Sequence, residues 1–503
     1  MRVEKAFSQL LQLDGEATLL SHITAALVWD QEHAPPLARK ERADQIALLE
    51  GKQHKLLCSP KMGELLELLG ASDANEGGSS ALDERSRAII RWYWRLYTHQ
   101  SKLDADFVEH FARLTAQAHH IWTQARKSDD FSLFEPALEQ IVAMVRTKAE
   151  AFGYEEDPYD ALLDQYEMGM KTRTVEKLFA SMQPVLQQVI EYKQQAPQPD
   201  DTFLYARYPV DKQQQFAKEV LDAMGFDWER GIMGTAAHPY TISLGADDIR
   251  ITTRYTEPSV LSPLFSTMHE GGHALYEMGA SSAQNKGTCL ANAASLGFHE
   301  SQSRLWENVI GRSRAFWQHF FPRFKELFPT QLAYVDLEGF LAALHSVYPS
   351  AIRVDADEVT YNLHIMLRFE LERQLLSGQL PVRELPHQWK KRSKELLGIE
   401  IANNRQGVLQ DIHWSMGEFG YFPTYALGNL YMAQITAAMQ KELNVDLIVS
   451  SGDLLPIKEW LHKAVYRHGS LYTPVDLIQR ISGSELDAAH FVSHIKRRYL
   501  QEV

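Results

Sequence analysis

The sequence predicts a mostly α protein, a large multi-helix body in one domain over residues 1–503, because helical periodicity runs through most of it. Apolar residues recur at the three- and four-residue steps that build one buried helix face. The stretches 72–80 and 196–202 are typical of loops, and no internal repeat or long low-complexity tract indicates a solenoid or a disordered tail. The clearest helical runs are Val175, Leu178, Phe179, Met182, Val185, Leu186 and Ile190, then Val359, Leu363, Met366, Leu367 and Leu371, with Gly378 as a cap.

One stretch is typical of β structure. Residues 241–244 form a short apolar and β-branched run, residues 245–248 read Gly-Ala-Asp-Asp, and residues 249–255 alternate in character. The pattern predicts a β hairpin just before the histidine motif described below. Such a hairpin would form one wall of a cleft and offer an edge to an extended peptide, or it would be structural only.

Charge and composition exclude several classes of function. With 51 Lys and Arg residues against 65 Asp and Glu residues, the formal net charge is −14, which disfavours binding to phosphate backbones. No signal peptide and no membrane-length apolar run is found. Cys58 and Cys289 lie outside any Cys-x-x-Cys spacing, so neither a disulfide framework nor a thiolate metal site is expected. We therefore expect a cytoplasmic protein without nucleic-acid or membrane partners.

A histidine pair points to a metal site within residues 262–310. The sequence predicts a helix that has Ser262 as its N-cap, Pro263 at its first position, and an end near Gly279. His269 and His273 are one turn apart on this helix, so both imidazoles project from one face and can share a tetrahedral Zn²⁺. The alternative is that the five-residue pattern arose by chance and that the two are ordinary histidines.

Three residues between the histidines fit the same hypothesis. Glu270 would act as the general base for an attacking water whose pKa a zinc ion lowers. Gly271 and Gly272 each cost about 1 kcal/mol relative to Ala inside a helix. We expect the close approach of a substrate or a neighbouring helix to explain them.

The third metal ligand is left open by spacing alone. Position 279 is Gly, which excludes a third His six residues after His273. The candidates are therefore carboxylates: Glu277, Glu300 and Glu307. Glu277 lies one turn further along the same helix, where its carboxylate cannot easily reach the metal ion shared by the two histidines, so we expect it to form a salt bridge. Glu300 and Glu307 lie on a following helix, and spacing does not choose between them.

Short motifs in a fixed order then extend the pattern over nearly the whole chain. They are Trp29-Asp30-Gln31-Glu32, His238-Pro239-Tyr240, Asp248-Ile249-Arg250-Ile251-Thr252, the stretch 269–273, His299-Glu300-Ser301-Gln302, Ile352-Arg353, and Gly407-Val408-Leu409-Gln410-Asp411-Ile412-His413-Trp414. In these motifs the chain closely resembles the carboxypeptidase Taq family of HExxH metallocarboxypeptidases. One departure is Tyr240, where a Phe is usual, and both are aromatic.

The resemblance implies a function and a fold. It implies removal of single residues from the free C-termini of peptides, one zinc or cobalt ion per chain, a homodimer, and a deep helical cleft similar to those of neurolysin and angiotensin-converting enzyme. By resemblance, His269 and His273 are metal ligands, Glu270 is the general base and Glu300 is the third ligand. Trp29 to Glu32 we interpret as structural.

A carboxypeptidase needs a fixed cation for the terminal carboxylate, and the bidentate fork of Arg suits it. Arg353 and Arg250 are the candidates within the motifs. The alternative role for each is a structural ion pair, for example with Asp355, Asp357 or Asp248.

The remaining candidates would contact the substrate or the developing oxyanion. His413 and Tyr425 are the expected oxyanion donors, because peptidases with the similar cleft place a His and then a Tyr at comparable separation after their metal motif. Tyr421 competes with Tyr425 and would otherwise contact the substrate's carboxylate. His238 would meet substrate or serve as a turn residue. In their structural role, His413 and the tyrosines would simply pack in the core.

Two other functions remain as alternatives. An oligopeptidase that cuts inside short peptides would use the same kind of cleft. A non-catalytic, zinc-stabilised helical binding scaffold would need no general base, and structural zinc sites normally have four protein ligands. An intact Glu270 therefore favours the enzyme.

Overall fold

The structure is a computed structural model that describes residues 2–500, except the side chains of residues 2, 32, 33 and 36. The prediction of a mostly α protein is confirmed. In chain order the helices are α1 Arg2–His33, α2 Arg39–Leu57, α3 Pro60–Leu68, α4 Glu84–Ser101, α5 Ala105–Ser128, α6 Glu135–Phe152, α7 Pro158–Leu163, α8 Thr172–Gln195, α9 Val210–Met224, α10 Leu261–Ala280, α11 Leu296–Arg304, α12 Arg314–Leu327, α13 Leu337–Leu344, α14 Thr360–Ser377, α15 Leu385–Leu397, α16 Pro423–Met439, α17 Val445–Ser451, α18 Leu455–Ala464, α19 Pro474–Ser482 and α20 Ala489–Ile495.

The two periodic runs identified in the sequence lie on α8 and α14. Helix α8 buries the predicted face from Val175 to Ile190, with Val185 only partly covered. Helix α14 is buried on nearly every side, because other helices surround it, and it ends at Gly378 in the left-handed conformation with φ 77°.

The predicted hairpin is confirmed and forms part of a three-stranded sheet in the order β1-β3-β2. Strand β2 (Thr241–Gly245) pairs antiparallel with β3 (Asp248–Thr253). The second strand therefore ends at Thr253, two residues before the predicted end at Tyr255. Strand β1 (Gly231–Thr235) pairs parallel with β3 and was not predicted. Its two glycines in five residues conceal the strand pattern.

Hydrophobic side chains form one large core and one smaller cluster among the described residues. The large core runs from α5 to the C-terminal helices, and the smaller cluster joins α1, α3 and α4 to Cys289 and Leu290. Strand β2 packs against α1 and α10, which places the sheet beside the histidine helix. Within residues 2–500, no helix has the length and apolarity needed to cross a bilayer.

Candidate metal centre and active site

The histidine motif lies on α10, which begins slightly earlier than predicted. The helix starts at Leu261, with Val260 at the N-cap position and no side-chain cap, so the assignment of Ser262 as N-cap is wrong. Ser262 and Pro263 are in the first turn instead. Amides there have no intrahelical acceptor, so Pro263 costs no hydrogen bond.

The paired glycines of the motif allow other helices to approach α10. A Cβ on Gly271 would lie 2.7 Å from Leu221 Cδ2 on α9, and a Cβ on Gly272 would lie 2.6 Å from the Gln302 carbonyl oxygen on α11. Both separations are too short for real contacts. The expectation that a neighbouring helix explains these glycines is confirmed.

The helix crossing brings His269, His273 and Glu300 together. Each offers one ligand atom, and these atoms all lie within 4.8 Å of one another. The Glu300 Oε2 atom is 3.6 Å from His269 Nε2 and 3.5 Å from His273 Nε2. Their side chains keep 11 to 19% of their surface exposed, so solvent reaches the cluster.

Further contacts orient both imidazoles through their Nδ1 atoms. His269 Nδ1 lies 2.9 Å from Glu307 Oε2. His273 Nδ1 contacts the ring of His299, whose Nε2 lies 2.7 Å from Glu277 Oε1. Metal-binding histidines are commonly held in this way through their second nitrogen. Glu307 and Glu277 therefore contact histidines and are not in the ligand cluster.

Arginines stabilise the negative charge of Glu300, on α11, and of Glu307, in the segment that follows α11. Arg304 Nε donates to Glu300 Oε1 at 2.7 Å, and Arg304 and Arg312 both pair with Glu307 at 3.3 Å. Burial alone would raise the pKa of Glu300, but Arg304 and then His269 outweigh it and hold that pKa well below its usual range. Glu300 is thus an ionised ligand candidate at neutral pH.

Glu270 is buried beside the cluster and is positioned by the sheet. Thr241 Oγ1, on β2, donates to Glu270 Oε2 at 2.7 Å. Burial raises the pKa of Glu270, while His269 and the Thr241 hydrogen bond partly oppose this shift. A carboxyl with a raised pKa can hold a proton at a higher pH than a free glutamate can.

Arg353 lies in a buried charge network. Its Nε and Nη2 atoms donate to Asp411 Oδ1 at 3.0 and 2.9 Å, and Nη1 donates to Tyr361 OH at 3.0 Å. Arg368 pairs with the other oxygen of Asp411 at 2.6 Å. The partner is therefore Asp411 and not Asp355, and this ion-paired cluster has two guanidiniums for one carboxylate.

Arg250 and His238, the two other candidates for contact with the substrate, lie outside this network. Arg250 forms a bidentate pair with Asp248 at 2.8 and 2.7 Å, and its guanidinium lies 5.3 Å from the Trp29 ring. His238 is exposed and lines a cavity of about 820 Å³ together with Arg254. None of the clustered ligand residues lines that cavity.

His413 and the two candidate tyrosines are neighbours. His413 Nε2 lies 3.3 Å from Tyr425 OH, and its ring centroid is 5.3 Å from that of Tyr421. Burial lowers the pKa of His413 to about 4, so the ring is neutral at pH 7. The Arg353 guanidinium lies 5.0 Å from the Tyr425 ring, which joins this group to the charge network.

Comparison with known proteins decides the family. The model of the carboxypeptidase Taq (M32) metallopeptidase family matches residues 9–499. The chain is 38% identical to thermostable carboxypeptidase 1 of Thermus thermophilus and 37% identical to that of Pyrococcus furiosus, each over 99% of both chains. The chain belongs to the carboxypeptidase Taq family. The solved M32 carboxypeptidase from Deinococcus radiodurans R1 has a TM-score of 0.94 at 35% identity, covering 99% of both chains.

As a member of the carboxypeptidase Taq family, the chain is a metal-dependent carboxypeptidase, a hydrolase of peptide bonds. The clustered donors fit a divalent ion. Two ligand atoms that each lie about 2.0–2.1 Å from a tetrahedral Zn²⁺ are roughly 3.4 Å apart. The measured separations of 3.6 and 3.5 Å from Glu300 to the histidines are close to that distance.

Several residues of this carboxypeptidase were not assigned a role from its sequence. His299, Thr241 and Tyr361 contact His273, Glu270 and Arg353, respectively. His299 directly precedes Glu300 in the sequence, and an ionisable side chain next to a candidate ligand could have indicated a role for His299 in the site. No spacing rule could have paired Thr241 with Glu270, because their contact depends on how the sheet packs on α10.

Proposed function

We propose that this carboxypeptidase binds one Zn²⁺ through His269, His273 and Glu300 and uses Glu270 as its general base. The observation that carries the proposal is the cluster of three ligand atoms within 4.8 Å, with Glu270 next to it on the same helix. Two imidazoles and one carboxylate are a ligand set of catalytic zinc sites. Co²⁺ accepts the same ligand types, so the choice of metal in the cell stays a prediction.

When bound, the ion would polarise the scissile carbonyl and lower the pKa of a nearby water. Glu270 takes a proton from the attacking water and delivers it to the leaving amine. Thr241 keeps the Glu270 carboxyl in one orientation through its hydrogen bond. Burial raises the Glu270 pKa, which favours its holding that proton between the two transfers.

The excess positive charge around Asp411 supports a site for the substrate's terminal carboxylate. Two buried guanidiniums share one carboxylate, and a second anion would compensate the remaining charge. We assign that role to Arg353, because it lies against Tyr425. Arg250 is already paired in a bidentate fashion with Asp248, which supports a structural role.

The neighbouring polar rings complete the proposed chemistry. Tyr425, next to the neutral His413, would donate to the oxyanion in the transition state, with His413 as its hydrogen-bond partner or as a second donor. Tyr421, whose ring lies 5.3 Å from that of Tyr425, would contact the substrate's terminal residue. His238 stays a candidate for contact with an upstream part of the peptide.

Digestion of a mixed peptide set by zinc-loaded enzyme, read by mass spectrometry, tests the proposal. Stepwise loss of single C-terminal residues is expected, and peptides blocked as C-terminal amides should resist. Internal cleavage of amidated peptides would instead indicate an oligopeptidase. No cleavage by enzyme with bound zinc would favour the binding scaffold. The homodimer stays a prediction from the resemblance, and sedimentation analysis tests it. The cytoplasmic location stays a prediction from the sequence.

A further inference from the structure

A second cavity, of about 780 Å³, lies between the C-terminal end of α8, the start of α12, and α20. None of the proposed metal ligands, the general base or the oxyanion donors lines it. Its walls carry five Lys or Arg side chains against two carboxylates, although the chain as a whole has a net charge of −14. The cations are Lys193, Arg312, Arg314, Arg497 and Arg498, and the carboxylates are Glu338 and Asp446.

Two of these cations have no acidic partner among residues 2–500. Arg497 is exposed and forms no ion pair within that range. Lys193 is half-buried, and its ammonium lies 5.7 Å from the Tyr499 ring. Burial without a compensating carboxylate lowers the pKa of Lys193. An anion bound in the cavity would give the Arg497 guanidinium and the Lys193 ammonium a negatively charged partner.

The start of α12 adds to the positive potential. Ser313 caps this helix of 14 residues, and Ser313 and Arg314 both line the cavity. A helix N-terminus directs free amide groups and a partial positive charge towards an anion. Arg314 pairs with Glu338, whose side chain is 68% exposed, so a stronger anion can compete for this guanidinium.

We propose that this cavity binds a phosphorylated small molecule. Arginine forks, an ammonium group and a helix N-terminus together recognise phosphate oxygens. Tyr192, Pro197 and Pro199 line another part of the wall and provide apolar surface for the organic part of the ligand. The volume is within the range of small-molecule sites, about 300–1,000 Å³.

Isothermal titration calorimetry of the zinc-loaded, full-length protein tests the site, with fructose 1,6-bisphosphate as the probe. Saturable binding of the bisphosphate is expected, and unphosphorylated fructose should give none. The double variant Lys193→Gln/Arg497→Gln should bind about tenfold or more weakly, because it loses charge-assisted hydrogen bonds to phosphate. Zinc content measured after each titration shows whether the heat comes from metal removal.

Two matched arginines provide the control. The side chains of Arg314 and Arg480 are 53 and 55% exposed, and each pairs with one glutamate, but only Arg314 lines the cavity. Arg314→Gln should weaken bisphosphate binding and Arg480→Gln should not. The proposal would be overturned if no saturable binding is seen, if the two substitutions have equal effects, or if zinc loss accounts for the heat. It would also be overturned if tricarballylate, a tricarboxylate without phosphate, binds more tightly than the bisphosphate.

Discussion

Gly428 on α16 faces the side chain of Glu300 so closely that a Cβ at this position would lie 2.7 Å from Glu300 Cγ. Helices α11 and α16 can pack together here only because residue 428 has no side chain. The proposed third ligand is therefore held between its own helix and a segment more than 120 residues further along the chain.

Gly428→Ala should displace Glu300 and weaken zinc binding by about 10- to 100-fold, the usual effect of disturbing the support of a ligand. Competition with a chromophoric chelator measures this affinity. Gly15→Ala is the matched control, since Gly15 lies inside α1 and a Cβ there would meet nothing within 4 Å. Unchanged zinc affinity in Gly428→Ala would remove Glu300 from the ligand set or show that α16 shifts freely.

Glu270→Gln should abolish peptide hydrolysis and leave bound zinc near one ion per chain, because the amide cannot accept the water's proton. Metal analysis and turnover are measured on the same sample. Loss of zinc in this variant would contradict the general-base assignment. In two companion variants, Glu300→Ala should lose zinc, whereas Glu307→Ala should weaken zinc binding only about 10- to 100-fold, because Glu307 acts through its contact with His269. Loss of zinc in Glu307→Ala and only weakened binding in Glu300→Ala would exchange the two roles.

Arg353→Lys should raise KM for peptides with a free C-terminus, since a lysine cannot replace the bidentate fork. The preference for free-acid over amidated substrates should shrink with it. Steady-state kinetics on a matched acid and amide pair gives both values. Arg250→Lys is the control, and it should keep the preference. If Arg353→Lys retains the full preference, Arg353 is structural and Arg250 becomes the candidate.

Tyr425→Phe should lower kcat about 10²–10³-fold with little change in KM, because an oxyanion donor acts mainly in the transition state. Tyr421→Phe provides the comparison, as its ring is 5.3 Å from that of Tyr425. A large kcat loss in Tyr421→Phe alone would exchange the two roles. If neither variant loses kcat, no tyrosine donates to the oxyanion.

The pH dependence of stability should report a buried carboxyl near the active site. Glu372 accepts hydrogen bonds from Tyr159 OH, Trp414 Nε1 and the Gly420 amide, and burial raises its pKa to about 7. The folded protein then holds this proton more tightly than the unfolded chain does. The resulting stabilisation is complete below about pH 4.5 and is lost as the pH rises towards 7.

Glu372→Gln should remove this contribution, so the difference in Tm between wild type and variant should fall between pH 5 and pH 7.5. Differential scanning fluorimetry at both values measures it. Glu139→Gln, at an exposed position on α6, is the control. Its Tm should differ from that of the wild type by the same amount at pH 5 and at pH 7.5. A pH-independent difference between wild type and Glu372→Gln would show that Glu372 is ionised throughout this range.

Sequence and structure agree most closely where the physics is local. The buried face of α8, the helix α14 and the β2–β3 hairpin were predicted from periodicity, because side chains three or four apart in a helix, and two apart in a strand, share a face. Strand β1 was missed because its pairing with β3 is not local. The start of α10 was misplaced by two residues, since Ser and Pro are also compatible with a first helical turn.

The sequence by itself determined that this chain is helical and that two histidines and a glutamate share one helix turn, because these depend on the helical repeat alone. Spacing left Glu300 and Glu307 open and only the resemblance implied Glu300, whereas the tertiary structure brings Glu300 and not Glu307 into the cluster. Only the tertiary structure showed that Asp411 pairs with Arg353. The position of Glu300 depends on how α10, α11 and α16 cross, and the lack of a side chain at Gly272 and Gly428 allows these crossings. Contacts between residues tens of positions apart follow from packing, which spacing along the chain does not encode.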